Sequence, residues 1–322
     1  MDELWVDKTV LITGGTGTLG NALLQHLIRT SAKKLIVFSR DERKQHDMAG
    51  QYTDGRIRFF IGDVRDRDRL RRAFGGVDYV IHAAALKHVP TLEYNPLEAV
   101  QTNIYGSSNV IEAAIDAGVE KVVAISTDKA VNPVNLYGAT KLVMEKTFTA
   151  ANDYAGHKAR FACVRYGNVV GSRGSVIEVF GKLREQGIHL YPVTVPEMTR
   201  FWITTEQAVC LIEFALREAR GGEIYVPRLP SMRMSELVKA VDSQGVMSIV
   251  GIRPGEKMHE SLVSEDIRNV WMVDLTLMEA RPAAGPYASD RNTDWLTMDE
   301  MKGLIDGTPT LATLHGANCQ TQ

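Results

Sequence analysis

Several things that whole classes of protein depend on are scarce here. The three cysteines, Cys163, Cys210 and Cys319, are scattered through 322 residues, and none has the close spacing of a metal-ligand set. No apolar run approaches the roughly 20 residues that cross a bilayer. The N-terminal MDELWVDK contains no apolar region of the kind a signal peptide carries. Neither sign of charge dominates: 37 Lys and Arg stand against 39 Asp and Glu, a formal net charge of -2. That balance gives no electrostatic reason to expect nucleic acid or an anionic membrane as partner. Internal repeats and low-complexity stretches are also missing. A cytoplasmic protein is therefore expected, with no metal, no membrane and no nucleic acid. Its 44% apolar content is enough for a sizeable core.

What is present is an alternation. Strand-like segments at 8–13, 34–38, 57–61, 78–82, 121–125 and 160–165 are separated by helical patterns at 19–29, 66–73, 97–116 and 138–151. This order predicts an α/β fold, a Rossmann-type doubly wound parallel sheet joined by right-handed crossovers. Ligands of such sheets bind at the carboxyl ends of the strands. TGGTG, GDV (62–64), HAAALKH (82–88), STDK and RYGNVVG all begin where a predicted strand ends. Beyond about residue 166 the alternation becomes irregular, with helical stretches at 176–186, 205–219 and 233–242. The expected division is a nucleotide-binding domain over 1–166, with segments near 200–225 returning to it, and a smaller substrate-binding lobe over 167–307. The tail, 308–322, lacks periodicity and is expected to be disordered.

The first strand runs into Gly14, Gly17 and Gly20 of TGGTGTLG and then into an apolar helix. Strand, glycine-rich turn and helix together mark a dinucleotide site, where the backbone approaches the pyrophosphate at the positive end of the helix. After the second strand come Ser39, Arg40 and Lys44, which suit a ribose 2′-phosphate and favour NADP. Asp41 argues the other way, since an acid at this place accepts from the 2′-hydroxyl of NAD.

Ser126–Lys141, STDKAVNPVNLYGATK, carries the chemistry. Tyr137 can exchange a proton with a hydroxyl, and Lys141, one helical turn later on the same face, can stabilise the phenolate. Tyr-x-x-x-Lys alone is a common helix-surface pattern; following KVVAIST at a strand end of a dinucleotide fold, it points to alcohol–ketone redox chemistry. Asp128 and Lys129 add a second acid and a second base. Proton handling of that extent beside a hydride site points to oxidation followed by elimination or epimerisation.

TGxxGxxG, Tyr137–Lys141 and the long C-terminal lobe resemble the extended short-chain dehydrogenase/reductases, which act largely on nucleotide sugars. Thr127-Asp128-Lys129, with FFIGDVRD, HAAALKHVPTLEYNP, RYGNVVGSRGS, MTRFWIT and IRPGEKMHE, resembles the inverting UDP-N-acetylglucosamine 4,6-dehydratases that open the route to pseudaminic acid. The resemblance runs from about residue 8 to about residue 300. It implies that Tyr137, poised by Lys141, takes the O4 proton while C4 is oxidised. Lys129, held neutral, would then remove the C5 proton, and protonated Asp128 would release the C6 hydroxyl as water. Thr127 would fix the sugar near O4. It also implies cofactor contacts at Thr18, Leu19, Asp63, Val64, Ala83 and Lys87, with Lys87 lying between cofactor and substrate. Substrate contacts are implied at Asn168, Arg173, Val176, Arg200, Arg253 and Glu256. Homo-oligomers, dimers or hexamers, are expected. His82 and His88 have no partner at ligand spacing and are read as structural. A retaining dehydratase, a C5 epimerase of the same substrate and a non-catalytic NADP sensor are the competing outcomes on this fold.

Overall fold

A computed structural model describes residues 3–156 and 158–307; the tail expected to be disordered lies outside them. All six predicted strands form, each within one residue of its expected ends: β1 (Thr9–Thr13), β2 (Lys34–Ser39), β3 (Ile57–Ile61), β4 (Tyr79–His82), β5 (Lys121–Ile125) and β6 (Arg160–Val164). With three later strands they build a nine-stranded sheet. Its order is Glu279–Pro282, Val270–Asp274, Ile224–Pro227, β6, β5, β4, β1, β2, β3. The outermost strand, Glu279–Pro282, runs antiparallel to its neighbour, and the pairs from β3 across to Val270–Asp274 are parallel. Every residue of β1 is buried, because helices cover both faces; a continuous apolar run rather than alternation is the result. Strand order reverses between β1 and β4, and that switch point opens a crevice at the carboxyl ends.

Helices α1 (Thr18–Leu27) and α3 (Arg67–Phe74) follow the predicted periodicity, while α2 (Glu42–Ala49) was not foreseen. Its charged sequence, ERKQHDMA, buries only Gln45 and Met48 and so shows little apolar pattern. The helix expected over 97–116 is broken into Pro96–Ala99, a π-helical segment Val100–Tyr105, and Gly106–Ala117. A π segment widens the turn and re-aims its side chains. Here it buries Asn103, which donates to Leu86 O (2.9 Å) and Thr140 Oγ1 (3.0 Å) and accepts from Leu86 N (2.8 Å). The loop after β4 is thereby pinned to the helix Leu136–Tyr154.

A second apolar cluster, including Phe180, Tyr191, Trp202, Leu237 and Met301, lies apart from the core of the main sheet. It gathers the helices Val176–Glu185, Met234–Val241 and Met298–Asp306 beside the parallel pair Leu190–Val193 and Val246–Ile249. The helix Thr205–Glu218 instead packs on α1 and the main sheet, and His26 Nε2 meets Glu213 Oε2 across that contact at 2.8 Å.

Candidate active site

The crevice is a cleft of about 900 Å³ between the carboxyl edge of the sheet and the second cluster. Its nucleotide end is built from the glycine turn. A Cβ on Gly14 would lie 2.8 Å from Ala84 N, and one on Gly20 would overlap the Gly15 backbone. Only glycine lets α1 start this close to β1 and to the loop after β4. Gly17 caps α1 without a side-chain hydrogen bond, so the amides of Thr18, Leu19 and Gly20 are left for another acceptor. These residues line the cleft, and an open helix N-terminus suits a pyrophosphate.

At the end of β2, Ser39 Oγ pairs with Thr16 Oγ1 at 2.9 Å. Asp41, the residue that favoured NAD in the sequence, is the N-cap of α2: its carboxylate accepts from Lys44 N at 3.0 Å and holds Lys44 Nζ at 2.7 Å. Arg40 lies 3.6 Å from Asp63, and the side chains of Arg40 and Lys44 are 53% and 51% exposed at the cleft rim. Asp63 is also gripped by Arg65. Asp63, Val64, Ala83 and Lys87 all line the same space. His82 is structural, as expected: its ring spans Thr13 and Ser107 at 2.8 and 3.0 Å, and burial, with the Lys141 charge, drives its pKa down to about 3. Among the described residues no cluster could hold a metal ion.

The chemical end is formed where β5 stops. Thr127 caps a short 3-10 turn, Asp128–Ala130, and its hydroxyl donates to Asp128 Oδ1 at 2.9 Å. The following helix, Leu136–Tyr154, is capped by Asn135, which accepts from Gly138 N and donates to Gly255 O, both at 2.8 Å. This fixes Tyr137 against the turn and ties the IRPGEK loop to the same place. Beneath lies a buried ion pair: Arg165 donates to both oxygens of Glu145 (2.9 and 2.6 Å), and Ser126 Oγ donates to Glu145 Oε1 (2.5 Å).

Lys129 Nζ lies 3.1 Å from Asp128 Oδ1 and 3.4 Å from Glu260 Oε1. Burial opposes charge on Lys129, yet the two carboxylates together hold it above the ordinary lysine range. In the free protein Asp128, and after it Glu260, thus favour the ammonium over the neutral form that the resemblance implies for Lys129 beside a bound nicotinamide. Burial pushes Asp128 up, with the Glu260 charge adding and Lys129 and Thr127 only partly offsetting it. Burial also raises Tyr137 to about 12, against the pull of Lys129 and of a hydrogen bond with Thr127. Lys141 is brought down to about 8 by burial, and its ammonium donates to Ile125 O at 2.7 Å. Lys141 is thereby anchored to the end of β5, one helical turn beyond Tyr137.

Asn168, Arg173, Val176, Arg200, Arg253 and Glu256 line the far side of the cleft with Thr127, Lys129, Tyr137 and Lys141. Asp128, 0% exposed, sits behind that wall. Arg200 is less free than its motif suggests, since its Nη1 donates to Thr199 O and Met258 O at 2.7 and 3.1 Å. Arg253 is exposed at the rim. Sequence reasoning missed Glu260, Asn103, Glu145 and Arg165. Glu260 lay within the quoted MHE, but a lone acid in a turn-rich stretch carries no sign that it will be buried.

Comparison with known proteins agrees with this geometry. The chain is 44% identical over 327 residues to a Campylobacter jejuni (strain 81-176) protein named UDP-N-acetylglucosamine 4,6-dehydratase (inverting), covering 94% of this chain and 98% of that one. The X-ray structure of Pen from Bacillus thuringiensis superposes with a TM-score of 0.85 at 37% identity, covering 94% and 98% of the two chains. DesIV, a dTDP-glucose 4,6-dehydratase from Streptomyces venezuelae solved with NAD bound, superposes at 0.71 with 25% identity over 78% of this chain and 86% of that one. Residues 10–278 match the family described as polysaccharide biosynthesis protein, and the chain belongs to that family.

Proposed function

We propose that this protein is a C5-inverting UDP-N-acetylglucosamine 4,6-dehydratase. The observation that carries the reading is the convergence of Thr127, Asp128, Lys129 and Tyr137 in one hydrogen-bonded group at the end of β5, facing a cleft with a dinucleotide end. A bound nicotinamide supplies the acceptor that takes a hydride from C4 and returns it at C6. Tyr137, poised by Lys141 one helical turn on and hydrogen-bonded to Thr127, takes the O4 proton. The C4 ketone acidifies the C5 proton, which passes to Lys129. Asp128, whose burial favours the protonated form, gives its proton to the departing C6 hydroxyl, and C5 takes a solvent-derived proton on the opposite face. Arg173, Arg200 and Arg253 offer guanidinium groups to the diphosphate, and Asn168, Val176 and Glu256 hold sugar, uracil and ribose.

NADP is the cofactor we assign, because Asp41 is engaged as a helix cap and in an ion pair with Lys44, while Arg40, Lys44 and Ser39 gather where a 2′-phosphate would sit. Self-association is part of the reading: Tyr94, Leu97 and Tyr105 are 87%, 74% and 56% exposed, an apolar stretch that a second copy would cover. Among the described residues no helix is long and apolar enough to cross a membrane, in keeping with a cytoplasmic enzyme. A non-catalytic sensor has no use for the acid–base set. Absorbance of reduced nicotinamide should stay flat while product accumulates from UDP-N-acetylglucosamine; continuous, stoichiometric reduction would mean a plain dehydrogenase.

A further inference from the structure

Glu260 is 3% exposed and is not among the residues that line the cleft. Its backbone is held firmly: its N–H donates to Ser289 Oγ at 3.0 Å, and two residues on, Leu262 O accepts from Arg165 at 2.7 Å. Oε1 faces Lys129 Nζ at 3.4 Å. Oε2 is buried without a hydrogen-bond partner among the described residues, with the Lys257 ammonium 3.7 Å away. A carboxylate buried with one oxygen unpaired is costly, and contact with the sugar does not explain it.

The proton balance of the proposed reaction does. Elimination needs Asp128 with a proton to give and Lys129 with a lone pair to take one. If Asp128 is protonated and Lys129 is an ammonium, Lys129 must first shed a proton that Asp128 cannot accept. We propose that Glu260 is the proton-holding partner of Lys129. An N–H bond of the Lys129 ammonium breaks and an O–H bond forms on Glu260 Oε1, leaving neutral lysine for the C5 proton. The transfer turns an ion pair into a neutral pair without changing net charge, and exclusion of water by a bound sugar favours the neutral pair. Glu260 acts through Lys129 and is a positioning residue. The other groups facing Lys129 are Asp128, Arg200, Tyr137, Lys87 and Lys257. Three of these are cations, and Tyr137 spends its basicity on O4.

The inference rests on the dehydratase reading, and two measurements on the NADP-loaded protein keep the two separable. In the wild type, loss of the Lys129 proton is internal, so kcat should be flat through neutral pH. In Glu260→Gln the proton must go to solvent: kcat should fall roughly 10²-fold near neutrality and climb with pH, KM should hardly change, and Glu260→Asp should recover part of the rate. Without turnover, NMR titration of lysine labelled at Cε should show a lower Lys129 pKa in Glu260→Gln, since a facing carboxylate charge is gone. A Gln variant with wild-type kcat, or with the same fractional loss at every pH, or an unshifted Lys129 titration, overturns the proposal. Should the Gln variant misfold, Glu260→Asp gives the same reading in graded form. If the wild type makes no dehydrated product, the dehydratase reading fails, and the lysine titration still decides whether Glu260 governs the Lys129 proton.

Discussion

Gly138 packs directly on the carbonyl of Lys129, so closely that a Cβ there would overlap the oxygen. This contact brings the start of the helix Leu136–Tyr154 onto the turn Asp128–Ala130 and sets Tyr137 beside the acid–base pair. Gly138→Ala should force the two apart. Overpacking of this kind costs about 1–3 kcal/mol, so thermal unfolding should move down by several degrees and kcat should drop with it. A variant with unchanged melting temperature and rate would show that the close approach does not matter.

Arg40 is exposed at the cleft rim and shares Asp63 with Arg65. Arg40→Ala should weaken NADP binding by about 1.5–3 kcal/mol, the range for a charge-assisted contact, and NAD binding far less. Calorimetric titration with both cofactors separates the cases. Equal weakening would return the choice to NAD, the cofactor bound in the DesIV structure.

Tyr137 and Lys129 should fail at different steps. Tyr137→Phe removes the group that takes the O4 proton, so both cofactor reduction and dehydration should be lost. Lys129→Ala should permit the first oxidation and stall at C5, with a dehydration rate lower by about 10²–10⁴-fold. Stopped-flow absorbance should then show reduced nicotinamide building up in the Lys129 variant only. Near wild-type dehydration by Lys129→Ala would make that residue a bystander.

His82 offers a test on folding rather than turnover. Its pKa is lowered from 6.5 to about 3 by burial and the Lys141 charge, so the unfolded chain takes up a proton below about pH 6.5 that the folded chain refuses. Stability is therefore intact above that pH and falls by about 1.4 kcal/mol per unit as pH drops toward 3. Urea midpoints measured at several pH values should fall less steeply in His82→Gln, even though that variant starts lower. Parallel slopes would place the linked proton elsewhere.

The six parallel strands and the glycine turn were legible because a buried strand reads as an unbroken apolar run and a dinucleotide turn needs Gly14 and Gly20. Tyr137, Asp128 and Lys129 were legible as chemistry because they lie within ten residues of one another. Their electrostatics were not. The charge on Lys129 in the free protein depends on Asp128 beside it and also on Glu260, more than 100 residues away in the chain. The π segment at Val100–Tyr105 was hidden because its composition is that of an ordinary helix. That Asp41 caps a helix was hidden because α2 has almost no apolar face.

The most direct test is proton NMR of UDP-N-acetylglucosamine incubated with the purified protein in deuterated buffer. The expected product is a 4-keto-6-deoxy sugar with inverted configuration at C5 and deuterium at that carbon. A 4-epimer that keeps its C6 hydroxyl, or a 4-keto-6-deoxy product with C5 configuration retained, would contradict it.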